Sequence, residues 1–318
     1  MKDFFKLKIS PSGLIEQAGL LASVATAAGL FGRYFWLLDL ACHFRVQYFV
    51  VLLGASIALC LWRRYWFAAA FGACAALNAA FLAPLFFGAP LDVQAASPRL
   101  KALLINVSRS HGDPERVIEF VRRNNPDFIV IEEVSPKWRQ ELGPLEDTYP
   151  HRVMRTREDD FGIAVLSKRP FLSSGIVHLG SAEVPSVYGQ FEVGGATLTL
   201  VGTHPLPPAG PVQSRHRNDQ LEQLPAFVGQ FDGPLLLLGD LNVTPWSYHF
   251  RKLLNDSGLR DAGKGRGIRP TWPAFAFPFL IPIDHCLHSD GIIIAAKSVG
   301  DNVGSDHYPV IVEFALTD

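Results

Sequence analysis

Cysteine is scarce in this chain: four in 318 residues, at positions 42, 60, 74 and 286. Their spacing makes neither a CxxC redox pair nor a zinc knuckle, which excludes thiol-exchange chemistry and a zinc-finger site. Only Cys286 falls in the C-terminal two-thirds, so no disulfide can form within that part and the count does not report a redox compartment. A basic excess is also lacking. The net charge is −1, and from Arg99 onward 22 Lys and Arg face 26 Asp and Glu. Domains that hold duplex nucleic acid non-specifically draw most of their affinity from neutralising phosphates. The balance here disfavours such a groove. Internal repeats and low-complexity tracts are absent as well.

Charge itself is missing from much of the N-terminal part, where residues 1–98 carry 11 charged side chains. Residues 46–62 (17 residues) and 65–91 (27 residues) have none. A helix crosses a bilayer with about 20 apolar residues, so the second stretch suffices and the first is borderline. A third candidate, residues 14–32, is rich in small residues and carries Glu16. A cleaved signal peptide does not explain apolar segments that recur past residue 30. The alternative is a buried hairpin of soluble helices. The expectation is an all-α membrane segment over residues 1–91 with three spans, or two with the first helix lying in the interface. A Pro- and Ala-rich linker (APLDVQAASP, ending at 98) follows, placed at 92–98, and then a catalytic domain over 99–318.

Lys2, Lys6 and Lys8 precede the first span, and Arg63 and Arg64 sit between the second and third. Cytoplasmic loops are enriched in such residues. Arg33, Asp39 and Arg45 blur the signal, while Tyr34, Phe35, Trp36, Phe44 and Tyr48 suit an interfacial belt. Three spans from an inside N-terminus make a multi-pass protein of the cell (inner) membrane with an extracytoplasmic catalytic domain.

Beyond the linker, residues 103–107 and 128–131 read as short buried strands. Asp113 and Pro114 start a helix with an apolar stripe at Val117, Ile118 and Val121. Strand-like runs follow at 162–166, 188–193 and 197–202, the last two joined by Gly194-Gly195. A helix is expected over 213–229, and strands over 235–238 and 308–314. Strands outnumber helices and alternate with them, which predicts an α+β class: two face-packed sheets with helices outside.

Polar residues sit at those strand ends in chain order: Asn106, Glu132 and Glu133, His204, Asp240 and Asn242, then Asp284 and His285 in IPIDH, and Asp306 and His307 before the last strand. Carboxylates after apolar strands are costly unless they bind a cation or accept hydrogen bonds. Oxygen donors with few nitrogens suit a hard ion such as Mg²⁺ or Mn²⁺. Each element alone is an ordinary turn or scaffold; the weight lies in the ordered set.

That set (NV, IEEV, GTHP, GDLN, IDH, GSDH) resembles the endonuclease/exonuclease/phosphatase superfamily, which includes pancreatic-type DNases, abasic-site endonucleases, inositol polyphosphate 5-phosphatases and neutral sphingomyelinases. The resemblance runs from Asn106 to His307. It implies a four-layer α/β-sandwich of two mixed β-sheets flanked by helices, and hydrolysis of phosphoesters with Mg²⁺ or Mn²⁺. It implies Asn106, Glu133 and Asp306 on the metal side, and His204, Asp240, Asn242, Asp284 and His307 as catalytic groups. Asp284 resembles the Asp that orients the final His, here His307. Glu132 replaces a usual Gln and is expected to be a hydrogen-bonding scaffold. His285 is expected to face away.

The partners expected are a lipid bilayer and a phosphoester substrate. Residues 271–283 (TWPAFAFPFLIPI) form an uncharged aromatic run directly before Asp284. It reads either as a loop over the core or as a membrane-facing rim that admits a lipid-borne phosphate. A lipid-linked phosphomonoester or phosphodiester leads, nucleic acid is the second substrate class, and a catalytically inactive membrane scaffold is the reading of another kind.

Overall fold

The computed structural model describes residues 10–88 and 99–317. The expected linker at 92–98 and the Lys2, Lys6 and Lys8 cluster lie outside the described residues. The chain divides into two compact units, residues 1–84 and 85–318.

The first unit is helical: α1 (Pro11–Ala28), α2 (Trp36–Cys42), α3 (Arg45–Leu61) and α4 (Tyr65–Leu82). Ser10 caps α1 by accepting from the Gly13 amide, with Pro11 at the first position. Leu52, Leu59 and Phe71 pack with Ala22, Ala55, Ala68 and Ala75 in the interior. A Cβ at Gly19 would lie 2.3 Å from the Phe71 ring, so glycine lets that ring approach. The interior also holds a polar chain: Arg45 Nη1 donates to Asn78 Oδ1 (3.2 Å) and Asn78 Nδ2 to Thr26 Oγ1 (2.9 Å). Leu21, Val24, Ile57, Leu61 and Trp66 point outward.

Among the described residues two helical runs are long and apolar enough to cross a membrane, Pro11–Phe31 and Tyr65–Leu85. The middle stretch departs from expectation. Trp36–Cys42 and Arg45–Leu61 are bent by 62° and make a third span only if counted as one broken element. The two continuous candidates are the first and third stretches, whereas the two-span reading laid the first helix in the interface.

The second unit contains β1 (Leu100–Asn106), α5 (Pro114–Asn124), β2 (Phe128–Glu132), α6 (Pro136–Glu141), β3 (His151–Arg155), β4 (Ile163–Ser167), β5 (Ser173–His178), β6 (Pro185–Val193), β7 (Ala196–Thr203), α7 (Pro211–Val228), β8 (Leu235–Asp240), α8 (Tyr248–Ser257), β9 (Arg260–Asp261), β10 (Asp284–His288), β11 (Ile292–Val299) and β12 (Val310–Leu316). They form two six-stranded sheets, β11-β12-β1-β2-β4-β3 and β5-β6-β7-β8-β10-β9. Each is mixed: β1 and β2 run parallel in one, β7 and β8 in the other, and the remaining pairs are antiparallel.

Side-chain alternation sorts the core into layers. Leu100, Ala102 and Leu104 of β1 meet Leu236 and Leu238 of β8 between the sheets. Leu103 and Ile105 turn the other way, onto Val117, Phe120 and Val121 of α5. On the far side Leu235 and Leu237 meet Leu221 and Leu224 of α7 and Phe250 of α8. Central strands covered on both faces read as unbroken apolar runs. The result is helix, sheet, sheet, helix: the four-layer sandwich expected.

Candidate active site

Both sheets deliver polar residues to one end. Asn106 closes β1 in register with Glu132, the last residue of β2. In the other sheet Asp240, last of β8, pairs directly with Asp284, first of β10. Both aspartates are therefore strand residues, not members of the loops beyond. Gly239 lets β7 lie close against β8: a Cβ there would lie 1.9 Å from the Thr203 carbonyl oxygen.

Glu132 and Glu133 are consecutive but serve different partners. Glu132 is fully buried, and its two oxygens accept the Asp240 amide at 3.1 and 3.2 Å. It ties one sheet to the other and fills the scaffold role expected of it. Glu133 has φ 63°, a left-handed conformation that costs a non-glycine residue about 1–3 kcal/mol. Its oxygens accept from Asn106 Nδ2 (3.0 Å) and the Arg109 amide (2.9 Å). Asn106 Oδ1 accepts the Ser108 amide at 3.0 Å.

His307 Nδ1 lies 2.9 Å from Asp284 Oδ2, and its Nε2 lies 3.7 Å from Asp240 Oδ2. His204 Nε2 is 3.7 Å from the same Asp240 oxygen. Asp240 thus faces two imidazoles. Thr271 Oγ1 accepts the amides of Ile283 and Asp284 (3.4 and 3.3 Å) and fixes the start of β10. The Asn242 amide donates to Asp240 Oδ1 (2.8 Å), and Asn242 Nδ2 donates to the Pro205 carbonyl (3.0 Å). Arg217, buried in α7, donates to the Asn242 carbonyl at 3.0 Å. Asp306 Oδ2 accepts the Trp272 indole N–H at 3.3 Å.

Burial opposes charge on His307, but Asp284, then Asp240 and Asp306, overcome it and raise its pKa to about 10. His204 goes the other way: burial, then the charge on His307, lowers it to about 4. Near neutral pH these values make His307 the cation and His204 the neutral imidazole. Burial works against ionisation of Asp284, yet the charge and hydrogen bond of His307 hold its carboxyl below the usual range. Burial and Asp284 push Asp240 well up, and burial with Asp240 and Asp284 does the same to Glu132. Burial raises Glu133.

The donor set fits a hard divalent cation. Among the described residues no Lys or Arg side chain forms an ion pair with Glu132, Glu133, Asp240 or Asp284. Buried carboxylates in that state call for a cation or a proton. Atoms of Asp240, Asp284 and His307 are close enough together to hold an ion. Asp284 and His307 are already hydrogen-bonded to each other at 2.9 Å, so Glu133 with Asn106 is the better seat.

The structure thus brings together Asn106 with Glu133, and His204, Asp240, Asn242, Asp284 and His307 around one carboxylate. Asp306 is turned to Trp272 and reaches the imidazoles through its charge. His285 faces away as expected: its Nε2 bonds to the Val243 carbonyl (2.7 Å) and its ring packs on Phe250. Thr271 and Arg217 were not foreseen. Thr271 heads an apolar run and Arg217 sits among helix-forming polar residues, so neither stands out in the sequence.

Solved structures share the fold. One is the endonuclease/exonuclease/phosphatase from Bacteroides vulgatus, with 16% identity and a TM-score of 0.59, covering 70% of this chain and 100% of that one. Sphingomyelinase C from Streptomyces griseocarneus has 22% identity and a TM-score of 0.52, covering 68% and 99%. D. rerio TDP2 complexed with a single-strand DNA product has 16% identity and a TM-score of 0.57, covering 69% and 99%. No curated protein sequence matches the chain. The Endonuclease/Exonuclease/phosphatase family model matches residues 103–307, the span that contains every residue of this site. The chain is therefore a member of that family.

Proposed function

We propose that residues 99–317 form a divalent-cation-dependent phosphoesterase, anchored to a membrane by the N-terminal helices. Members of the family are hydrolases of phosphoester bonds. The observation that carries the reading is the group of buried carboxylates around His307 and His204, with no ion pair to Lys or Arg among the described residues.

Glu133, with Asn106 and the charge of Asp306, would hold Mg²⁺ or Mn²⁺. Such an ion supplies positive charge and Lewis acidity to phosphoryl oxygens. Asp240, its carboxyl made more basic by burial and by Asp284, accepts a proton from the attacking water. His307, kept cationic by Asp284, donates from Nε2 to a phosphoryl oxygen as charge builds. His204 donates as a neutral imidazole; its Nδ1 has no partner among the described residues and its Nε2 faces Asp240. The amide of Asn242 keeps Asp240 oriented.

Fold relatives include both a sphingomyelinase and a protein holding a DNA product, so the fold does not choose between lipid and nucleic acid. The acidic balance of residues 99–318 favours a lipid-borne phosphoester over a nucleic acid. The intact site speaks against an inactive scaffold. The test is hydrolysis of bis(p-nitrophenyl) phosphate, lipid phosphates and single- and double-stranded DNA by the full chain after EDTA treatment. Activity should vanish and return with Mg²⁺ or Mn²⁺. Full activity in a thoroughly metal-stripped sample would refute the cation requirement.

A further inference from the structure

The uncharged segment 271–283 forms a closed loop. Trp272 and Ile281 exchange backbone hydrogen bonds (3.1 and 2.6 Å), and the tip turns through Phe277–Phe279. Phe275, Phe277 and Phe279 are 80%, 82% and 59% exposed. A buried core residue would not be left in that state, and large apolar patches on a surface mark an interaction. The base of the loop is tied to the active site. Trp272 donates to Asp306, its ring lies 6.4 Å from that of His307, and the Ala274 amide donates to the Asp306 carbonyl (2.8 Å).

Two further observations identify what covers this tip. The chain enters the unit at Leu85, the last residue of the second run long and apolar enough to cross a membrane. Within the unit the Leu85 carbonyl accepts the Gly267 amide (2.6 Å), Phe86 lies beside Gly267 and Gly88 beside Lys264. Leu85, Gly267, Arg269 and Pro282 line one small cleft, so the entering chain and the base of the aromatic loop adjoin. Phe86 and Phe87 are also exposed, at 56% and 72%. Lys264 and Arg269, both exposed, stand between the two aromatic segments in sequence. Exposed aromatics flanked by basic side chains match an apolar interior beneath anionic headgroups.

We propose that the Phe275–Phe277–Phe279 tip, with Phe86 and Phe87, docks on an anionic phospholipid bilayer, so that the active site takes a lipid phosphoester from that surface. The substrate part rests on the phosphoesterase reading; the docking part does not. Docking sets where the site opens, because Trp272 couples the loop to Asp306 and His307.

The test uses the full chain in nanodiscs of phosphatidylcholine and phosphatidylglycerol. In a Cys60→Ser, Cys74→Ala background, the remaining cysteines are buried, and Phe277→Cys takes a nitroxide spin label. Docking predicts a label accessible to oxygen and shielded from a water-soluble nickel complex. A label open to nickel, or one immobilised and closed to both reagents as against a protein partner, overturns docking. In parallel, Phe275→Ser/Phe277→Ser/Phe279→Ser should lower hydrolysis of phosphatidic acid or phosphatidylglycerol in the disc by roughly tenfold or more. Hydrolysis of bis(p-nitrophenyl) phosphate should stay within about twofold, since those side chains point away from the core. Equal losses on both substrates, or none on the lipid, overturn lipid presentation. A chain inactive on every phosphoester would remove the phosphoesterase reading and leave the spin-label result to decide docking alone.

Discussion

Asp284→Asn isolates the charge behind His307 with almost no change of shape. The Asp284 carboxylate lies 2.9 Å from His307 Nδ1, and both are buried. A rise from 6.5 to about 10 for the imidazole is worth about 5 kcal/mol in favour of the cation, at about 1.4 kcal/mol per tenfold. Asp284 is the largest favourable contributor and works against burial. Without it, burial is opposed only by Asp240 and Asp306, and the pKa of His307 should fall. Losing a charged donor to the transition state costs about 10²–10³-fold in kcat, with KM little changed. The assay is the pH profile of kcat for bis(p-nitrophenyl) phosphate with saturating Mg²⁺. In the parent the alkaline limb should lie high, near the folded value of about 10; in Asp284→Asn it should fall by several pH values and activity should partly recover on acidification. His307→Ala should lose at least as much, and the double variant little more than His307→Ala alone, because contacting residues are not additive. Superposed alkaline limbs, or fully multiplicative losses, would refute the pairing.

Acid should weaken the fold through neutral histidines. Burial, then Lys297, lowers His285 to about 4, and burial, then His307, lowers His204 to about 4. Folded values below the unfolded 6.5 mean a contribution present above 6.5 and lost as pH falls through about 4, up to about 3 kcal/mol each. The raised carboxyls of Glu132, Glu133 and Asp240 act in the opposite sense, so the test is differential: between pH 6.5 and 4.5 His285→Gln should lose less melting temperature than the parent, and an identical pH dependence would contradict a neutral His285. The expected orientation gives a topological test: protease added to cells with a permeabilised outer layer should cut residues 99–318, and complete protection until the inner membrane is lysed would reverse it.

Much of the sandwich was legible because its central strands are apolar on both faces, as in residues 103–107 and 235–238. The edges were not. β3 (HRVMR) and β5 (SSGIVH) carry polar residues and lie at sheet margins, where one side needs no partner. β10 was hidden for another reason: Asp284, His285 and His288 break the apolar run that marks a central strand, yet all five of its residues are buried and paired with β8. The site residues stood out as polar punctuation after apolar runs. What a sequence of neighbours does not carry is partnership across sheets. Glu132 and Glu133 look equivalent, and only the register separates the residue that binds the Asp240 amide from the one held by Asn106. The bend between α2 and α3 was likewise invisible, since charge-free runs report composition and not direction.

The bond from the Asp240 amide to Glu132 has a consequence for how activity arises. Asn106, Glu132 and Glu133 come from one sheet, while His204, Asp240 and Asp284 come from the other. Neither half holds a working set, and the chain between Glu132 and Asp240 must be complete before they meet. Catalytic competence is therefore a property of the closed interface and requires both sheets to be packed. A nascent or partly opened chain should be silent toward phosphoesters, so that turnover would report the sheet–sheet contact more directly than any measure of helix or strand content.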